Sequence, residues 1–216
     1  GPKLSVISKF KYKKYWRKTS FKQKGVGEFF LQHVFEKKAK NFLEIGVFHG
    51  VTSRNVCDLL ESVHGNDFSY TGIDLFLNEK EISKDEFIPK TKFSNPFKAF
   101  YYNYILRENP YSFEAVKKLL KKYQDNIKII KGNSNKVLKE IRLDKFDYVF
   151  LDGGHKYETV LTDLKTLNKV ILNNGVIVCD DYDLTYAPGV KKAIDEYVLL
   201  NNFNLKILNS RFAEIS

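Results

Sequence analysis

Phe146-Asp147-Tyr148-Val149-Phe150-Leu151-Asp152-Gly153-Gly154-His155 is the stretch on which the fold of this chain turns. Its first six residues read as a buried strand. The apolar run then stops abruptly in an acid, two glycines and an imidazole. About one crossover later, Gly175-Val176-Ile177-Val178-Cys179 repeats the pattern and ends in Asp180-Asp181. In an open parallel sheet, ligands sit outside the carboxyl ends of the strands. Asp152, Asp180, Asp181 and His155 are therefore expected around one crevice. Such a group can hold a divalent cation and take a proton, which points to an enzyme.

Outward from these two strands, the chain alternates. Apolar residues at Phe29, Phe30, Val34 and Phe35 predict a helix over 27–40. A strand at 42–47 and a helix at 52–63 follow, the latter stopped by His64-Gly65-Asn66. A strand over 68–75 precedes a charged, aromatic stretch from 76 to about 110, interrupted by Pro89, Pro96 and Pro110. That length without regular pattern suits a functional lid or a disordered insert, and the seven Phe and Tyr residues from Phe87 to Tyr104 argue against disorder. Helix 111–123, strand 127–131, helix 135–141, strand 146–151, helix 157–172, strand 175–180 and helix 189–200 continue the alternation. Two β-rich pieces, 203–208 and 211–215, flank Asn209-Ser210 and predict a terminal hairpin. The expected fold is α/β: a Rossmann-like, doubly wound, mostly parallel seven-stranded sheet with a C-terminal antiparallel hairpin and an aromatic-rich insert after the second strand.

The chain has 216 residues, enough for one domain with an embellishment, and a 43% hydrophobic share that suits a globular core. Residues 26–216 are read as that domain and 1–25 as a basic arm. Gly1-Pro2 reads as a protease-cleavage scar. No apolar run approaches the roughly 18 residues of a membrane span. Cys57 and Cys179 lie in apolar surroundings and read as buried free thiols of a reducing, cytoplasmic compartment. The net charge is +10, and much of the excess precedes Glu28, where the eight Lys and Arg residues from Lys9 to Lys24 interleave with aromatics. That arm is either a phosphate-binding or membrane-surface element, or a solvated segment whose aromatics pack on the domain.

The first strand ends in Leu43-Glu44-Ile45-Gly46-Val47-Phe48-His49-Gly50-Val51-Thr52-Ser53. Gly46 and Gly50 permit a tight strand-to-helix turn and close approach of a ligand to the backbone. The second strand ends in Gly72-Ile73-Asp74, placing an acid where ribose hydroxyls are bound in such sheets. A Walker phosphate loop needs Gly-Lys-Ser/Thr, and Val51 follows Gly50 instead. A dinucleotide fingerprint needs G-x-G-x-x-G, and only the spacing Gly46-x-x-x-Gly50 is present; Glu44 would also stand beside an anionic pyrophosphate. An acid there suits a cationic ligand such as S-adenosylmethionine, or else it is a strand-end acid facing water.

As an ordered set, Leu43–Gly50, Gly72–Asp74, Gly132-Asn133-Ser134, Phe146–His155 with Tyr157-Glu158, and Gly175–Asp181 resemble a class I S-adenosylmethionine-dependent methyltransferase. The likeness is to the small-molecule O-methyltransferase branch with the macrocin and mycinamicin sugar O-methyltransferases and the cephalosporin hydroxylase-like proteins. The resemblance implies that Gly46 and Gly50 line the methionine part of the cofactor, with Glu44 near its ammonium. It implies that Thr52 or Ser53 reaches the carboxylate, Asp74 the ribose and Ser134 the adenine. It also implies that Asp152, Asp180 and Asp181 hold magnesium, that Asp152 borders the cofactor, and that His155 is the base.

Carboxylate oxygens suit Mg²⁺ or another hard divalent cation, and a cation at an acceptor oxygen lowers its pKa. With the resemblance, the substrate expected is a hydroxyl of a small molecule, a sugar or glycosylated metabolite. Asp152-Gly153-Gly154-His155 replaces the Asn-Pro-Pro-Tyr or Asp-Pro-Pro-Tyr of many amino-group methyltransferases, which favours oxygen. An RNA-binding or RNA-modifying role through the basic arm, or a cofactor-binding relative with altered chemistry, stays open. Oligomerisation is also open.

Overall fold

A computed structural model of the chain describes Thr19, residues 21–76 and residues 113–216. Most of the basic arm and, apart from Phe76, the lid-like insert lie outside the described residues. In chain order the elements are α1 (Val26–Glu36), β1 (Asn41–Ile45), α2 (Val51–His64), β2 (Ser69–Asp74), α3 (Phe113–Leu119), a 3-10 turn (Lys121–Tyr123) and β3 (Ile127–Lys131). Then come α4 (Ser134–Glu140), β4 (Tyr148–Leu151), α5 (Tyr157–Thr166), α6 (Asn168–Leu172), β5 (Val176–Cys179), α7 (Pro188–Asn201), β6 (Leu205–Leu208) and β7 (Phe212–Ile215).

The strands form a seven-stranded sheet in the order β3-β2-β1-β4-β5-β7-β6. Strands β1 to β5 are parallel, and β7 runs antiparallel to both β5 and β6. This is the expected α/β architecture with its closing hairpin. Alternation along each strand feeds two cores. Phe42, Tyr70, Tyr148, Phe150, Val178 and Phe212 pack with α1, α2 and α3. Leu43, Ile45, Val149, Leu151, Ile177 and Ala213 pack with α4 to α7 on the other face. Because the chain leaves β1 toward β2 and returns on the far side at β4, the strand order reverses between β1 and β4. Ligands of doubly wound sheets bind at that reversal.

Three boundaries differ from expectation. The helix expected to reach residue 40 ends at Glu36: Lys38 turns left-handed at φ 56°, and the Ala39 N–H donates back to the Val34 carbonyl. The helix expected over 157–172 divides into α5 and α6 at Leu167, whose ψ of 0° leaves the helical range. Strand β4 begins at Tyr148, with Phe146 buried before it.

Helix α1 is tied to the sheet by a polar chain within an aromatic layer. His33 Nε2 lies 2.8 Å from Glu214 Oε1, and Nδ1 lies 2.8 Å from the Tyr148 hydroxyl. A carboxylate only accepts, so the neutral ring donates from Nε2 and receives the Tyr148 proton at Nδ1. Burial holds His33 below its ordinary 6.5, despite the Glu214 carboxylate beside it. Burial raises Glu214, but hydrogen bonds from Lys37 and His33 reverse this and hold it below its ordinary 4.5. Both signs point the same way. A histidine with a lowered folded pKa costs stability as pH falls below 6.5, and Glu214 adds a loss at lower pH. Between neutral pH and 5 the wild type is expected to lose melting temperature relative to His33→Gln, which lacks the histidine's contribution to the slope. Parallel slopes for the two proteins would remove His33 from the account.

Candidate active site

The carboxyl ends of the five parallel strands stand side by side. The Gly46 N–H donates to the Ile73 carbonyl, Asp152 N–H to Ile45, Asp180 N–H to Leu151, and Gly132 N–H to Asp74. Asp74, Gly46, Asp152 and Asp180 therefore form one row along the edge where the strand order reverses. Gly46 and Asp152 touch across that reversal. A Cβ on Gly46 would lie 2.1 Å from the Asp152 carbonyl oxygen, and Gly46 holds φ +96°. No other residue type fits such a backbone at such a distance. Gly50, at φ +78°, starts α2.

Asp74 organises this turn. Its two carboxylate oxygens accept the N–H groups of Phe48 and Phe76, each at 2.9 Å. Both donors sit in the left-handed region, at φ 55° and 49°. The rings of Phe76 and Phe113 meet at 5.5 Å, so the chain departs and returns at one place beside Asp74.

Glu44 is buried below the turn, on the α2 face of the sheet. Its Oε1 accepts hydroxyl protons from Ser53 and Tyr70, both at 2.5 Å. Burial pushes its carboxyl up to about 7 against those two donors, with the Asp74 charge adding to the rise. Ser53 is fully buried and its hydroxyl serves Glu44, whereas Thr52 beside it keeps 9% exposure. Ser134 opens α4, and its hydroxyl donates to Asp163 at 2.7 Å. The Asn135 side chain donates to the other Asp163 oxygen at 2.8 Å. Asp163, which the periodicity of α5 hides as an ordinary helix acid, is 1% exposed and anchors α4 to α5.

Asp152, Asp180 and Asp181 converge as expected, offering carboxylate oxygens within 4.8 Å of one another. Burial, then the charges of Asp180 and Asp181, push the Asp152 carboxyl well above the ordinary carboxylate range, with Arg211 opposing. Asp181 holds a left-handed backbone at φ 61°, the kind of local strain that collects at functional sites. Its Oδ2 lies 3.0 Å from His155 Nε2. That contact places the imidazole proton on Nε2 and the lone pair on Nδ1 when the ring is neutral. Asp180 is more deeply engaged. Arg211 grips it with a two-pronged ion pair, Nε to Oδ1 at 2.6 Å and an Nη to Oδ2 at 2.8 Å. From the sequence alone, Arg211 is only the first residue of a β-rich piece.

Gly189 is a second residue whose role the sequence conceals. At the first turn of α7, a Cβ on it would lie 2.8 Å from the Tyr157 nitrogen and 3.1 Å from the His155 carbonyl oxygen. The helix end thus rests directly on the loop that carries His155. Gly189→Ala is expected to lower kcat by about 10²-fold, because an ångström of misplacement at a reacting group costs that much. Cofactor affinity should stay near wild type. A variant with unchanged kcat would show that this packing does not position His155.

Known proteins support this architecture. A family model described as "Methyltransferase domain" matches residues 43–182. A 53-residue segment is 38% identical to an uncharacterized protein of Acanthamoeba polyphaga mimivirus, and it makes up 24% of this chain and 24% of that protein. The chain thus spans about a quarter of the curated relative it matches. Among solved structures, the O-methyltransferase NovP superposes with a TM-score of 0.60 at 18% identity, over 86% of this chain and 75% of that one. The TDP-rhamnose 3'-O-methyltransferase CalS11 of calicheamicin biosynthesis gives 0.59 at 13%, over 98% and 90%. SAH-bound Podospora anserina methyltransferase PaMTH1 gives 0.57 at 17%, over 100% and 88%. At these identities the structural likenesses speak for the fold. The family match covers more than half of the chain, from the glycine turn through the acid cluster, and the chain belongs to the family of methyltransferase domains.

Proposed function

We propose that this protein is an S-adenosylmethionine-dependent O-methyltransferase that acts on a hydroxyl of a small molecule, a sugar or glycosylated metabolite, with help from a divalent cation. The observation that carries the reading is the contact between Gly46 and Asp152. It joins a glycine turn fit for a cofactor to an acid cluster fit for a cation, with His155 beside it.

The cofactor would supply a methyl group on a positively charged sulfur. In this reading Gly46 and Gly50 let its methionine part approach the backbone, and Glu44 lies below as the balancing acid. Thr52 offers the hydroxyl for its carboxylate, since Ser53 serves Glu44. Asp74 accepts from the ribose hydroxyls, and α4 with Ser134 borders the adenine. Asp152, Asp180 and Asp181 offer carboxylate oxygens, the donor class that suits Mg²⁺, with Asp180 shared with Arg211. A bound cation would supply the positive charge that makes an acceptor hydroxyl more acidic. His155, oriented by Asp181, takes the proton from the acceptor. Positioned bases of this kind contribute about 10²–10⁴-fold. The likeness to CalS11, a TDP-rhamnose 3'-O-methyltransferase, supports a sugar hydroxyl, and the Asp-Gly-Gly-His sequence after β4 favours oxygen over nitrogen.

The test is transfer of labelled methyl from S-adenosylmethionine to a panel of nucleotide-linked sugars, with and without chelator. The expected product is an O-methyl sugar, formed with added Mg²⁺ and lost in excess chelator. Methylation at nitrogen, or full activity in chelator, would overturn the corresponding half of the proposal.

A further inference from the structure

Arg211 brings a fixed positive charge into the acid cluster. It comes from the turn between β6 and β7, 31 residues after Asp180. Tyr182 N–H donates to the Arg211 carbonyl at 3.1 Å, which fastens that turn to the backbone just past Asp181. The guanidinium lies over the rings of Phe21 and Phe212, 5.2 and 5.4 Å from their centroids. Phe21 is 1% exposed and packs in turn on Phe30, Phe150 and Phe212. The side chain of Asp180 is fully buried and that of Arg211 is 17% exposed. Asp180 also accepts the N–H of Asp181 at 2.8 Å.

These contacts make the ion pair a built feature. A two-pronged guanidinium–carboxylate pair is among the strongest neutral-pH hydrogen-bond arrangements, and arginine keeps its charge throughout. Stacking on two aromatic faces adds a further hold. Any cation entering beside Asp152 and Asp181 therefore meets a carboxylate already committed and a like charge a few ångströms away. Both reduce its affinity.

We propose that Arg211 is a resident counter-cation of the acid cluster, which withholds Asp180 from a divalent ion. Asp152 and Asp181 then meet the ion first, and its affinity is held low. The inference rests on the cation-assisted reading above. It adds that Arg211 sets how tightly the cation is held. A purely structural ion pair, one that only fastens the hairpin to β5, would leave cation affinity unimproved when removed.

The experiment is titration of the full chain with Mn²⁺ alone, without cofactor or acceptor, followed by calorimetry and by the paramagnetic resonance of free Mn²⁺. Wild type is compared with Arg211→Met, which keeps the stem and removes the charge. The variant is expected to bind Mn²⁺ about tenfold more tightly, a change of about 1.4 kcal/mol. Binding by the variant alone, with none detected in wild type, supports the proposal more strongly still. Equal or weaker binding by the variant, with binding by wild type, overturns it and leaves the cation-assisted reading standing. No binding by either protein removes both. If Arg211→Met does not melt cooperatively, Arg211→Gln is read by the same criteria, since its amide can still bond Asp180 without a charge.

Discussion

Gly46→Ala is expected to abolish cofactor binding and turnover together. A left-handed backbone costs an ordinary residue about 1–3 kcal/mol by itself. The added methyl would also lie 2.1 Å from the Asp152 carbonyl oxygen and 2.6 Å from its carbon. Neither atom can step aside freely, because the Asp152 N–H is bonded to Ile45 at 2.8 Å and the Gly46 N–H to Ile73 at 2.9 Å. The turn must therefore separate β1 from β4 at the point where the strand order reverses. Affinity for S-adenosylhomocysteine should drop by more than about 10²-fold, some 3 kcal/mol. Equilibrium binding read alongside denaturant unfolding checks it. An alanine variant that binds within about threefold of wild type would show that this turn is not where the cofactor lies.

Asp181→Asn should cost turnover about 10²-fold or more while leaving the fold intact, in the range that positioned acid–base groups contribute. The choice of asparagine matters. Asn adopts the left-handed region as readily as Asp, so φ 61° is kept. What is lost is the negative charge 3.0 Å from His155 Nε2 and one oxygen of the cluster. The imidazole then faces an amide that can either accept from or donate to Nε2, so its tautomer is no longer held, and the cluster loses a charge. Unchanged melting with kcat reduced and cofactor affinity retained is the expected pattern. Turnover within about threefold of wild type would exclude Asp181 from the chemistry.

The parts of this site that the sequence revealed were those set by local pattern. An apolar run ending in Asp152-Gly153-Gly154-His155, another ending in Asp180-Asp181, and two glycines after Glu44 announce strand ends, and strand ends of parallel sheets share an edge. The parts it hid depend on contacts between distant segments. Arg211 reaches Asp180 only because β7 pairs antiparallel with β5, with Cys179 opposite Ala213. Nothing in 211–215 declares that register. His33 and Glu214 meet across 181 positions for the same reason. Asp163 carries the spacing of a solvated helix acid and is buried because Ser134 and Asn135 need a common acceptor. The resemblance offers Thr52 or Ser53 for the cofactor's carboxylate; their difference is hidden in the sequence because it depends on Glu44, which takes the buried Ser53 hydroxyl and leaves Thr52 the more exposed of the two.

The central claim is that the turn at Gly46 and Gly50, set against Asp152, receives S-adenosylmethionine. Calorimetric titration of the purified chain with S-adenosylmethionine and with S-adenosylhomocysteine tests it without any knowledge of the acceptor. The account predicts saturable binding of each at one site per chain, abolished by Gly46→Ala. Absence of heat and of competition for both compounds, in protein that melts cooperatively, would contradict it.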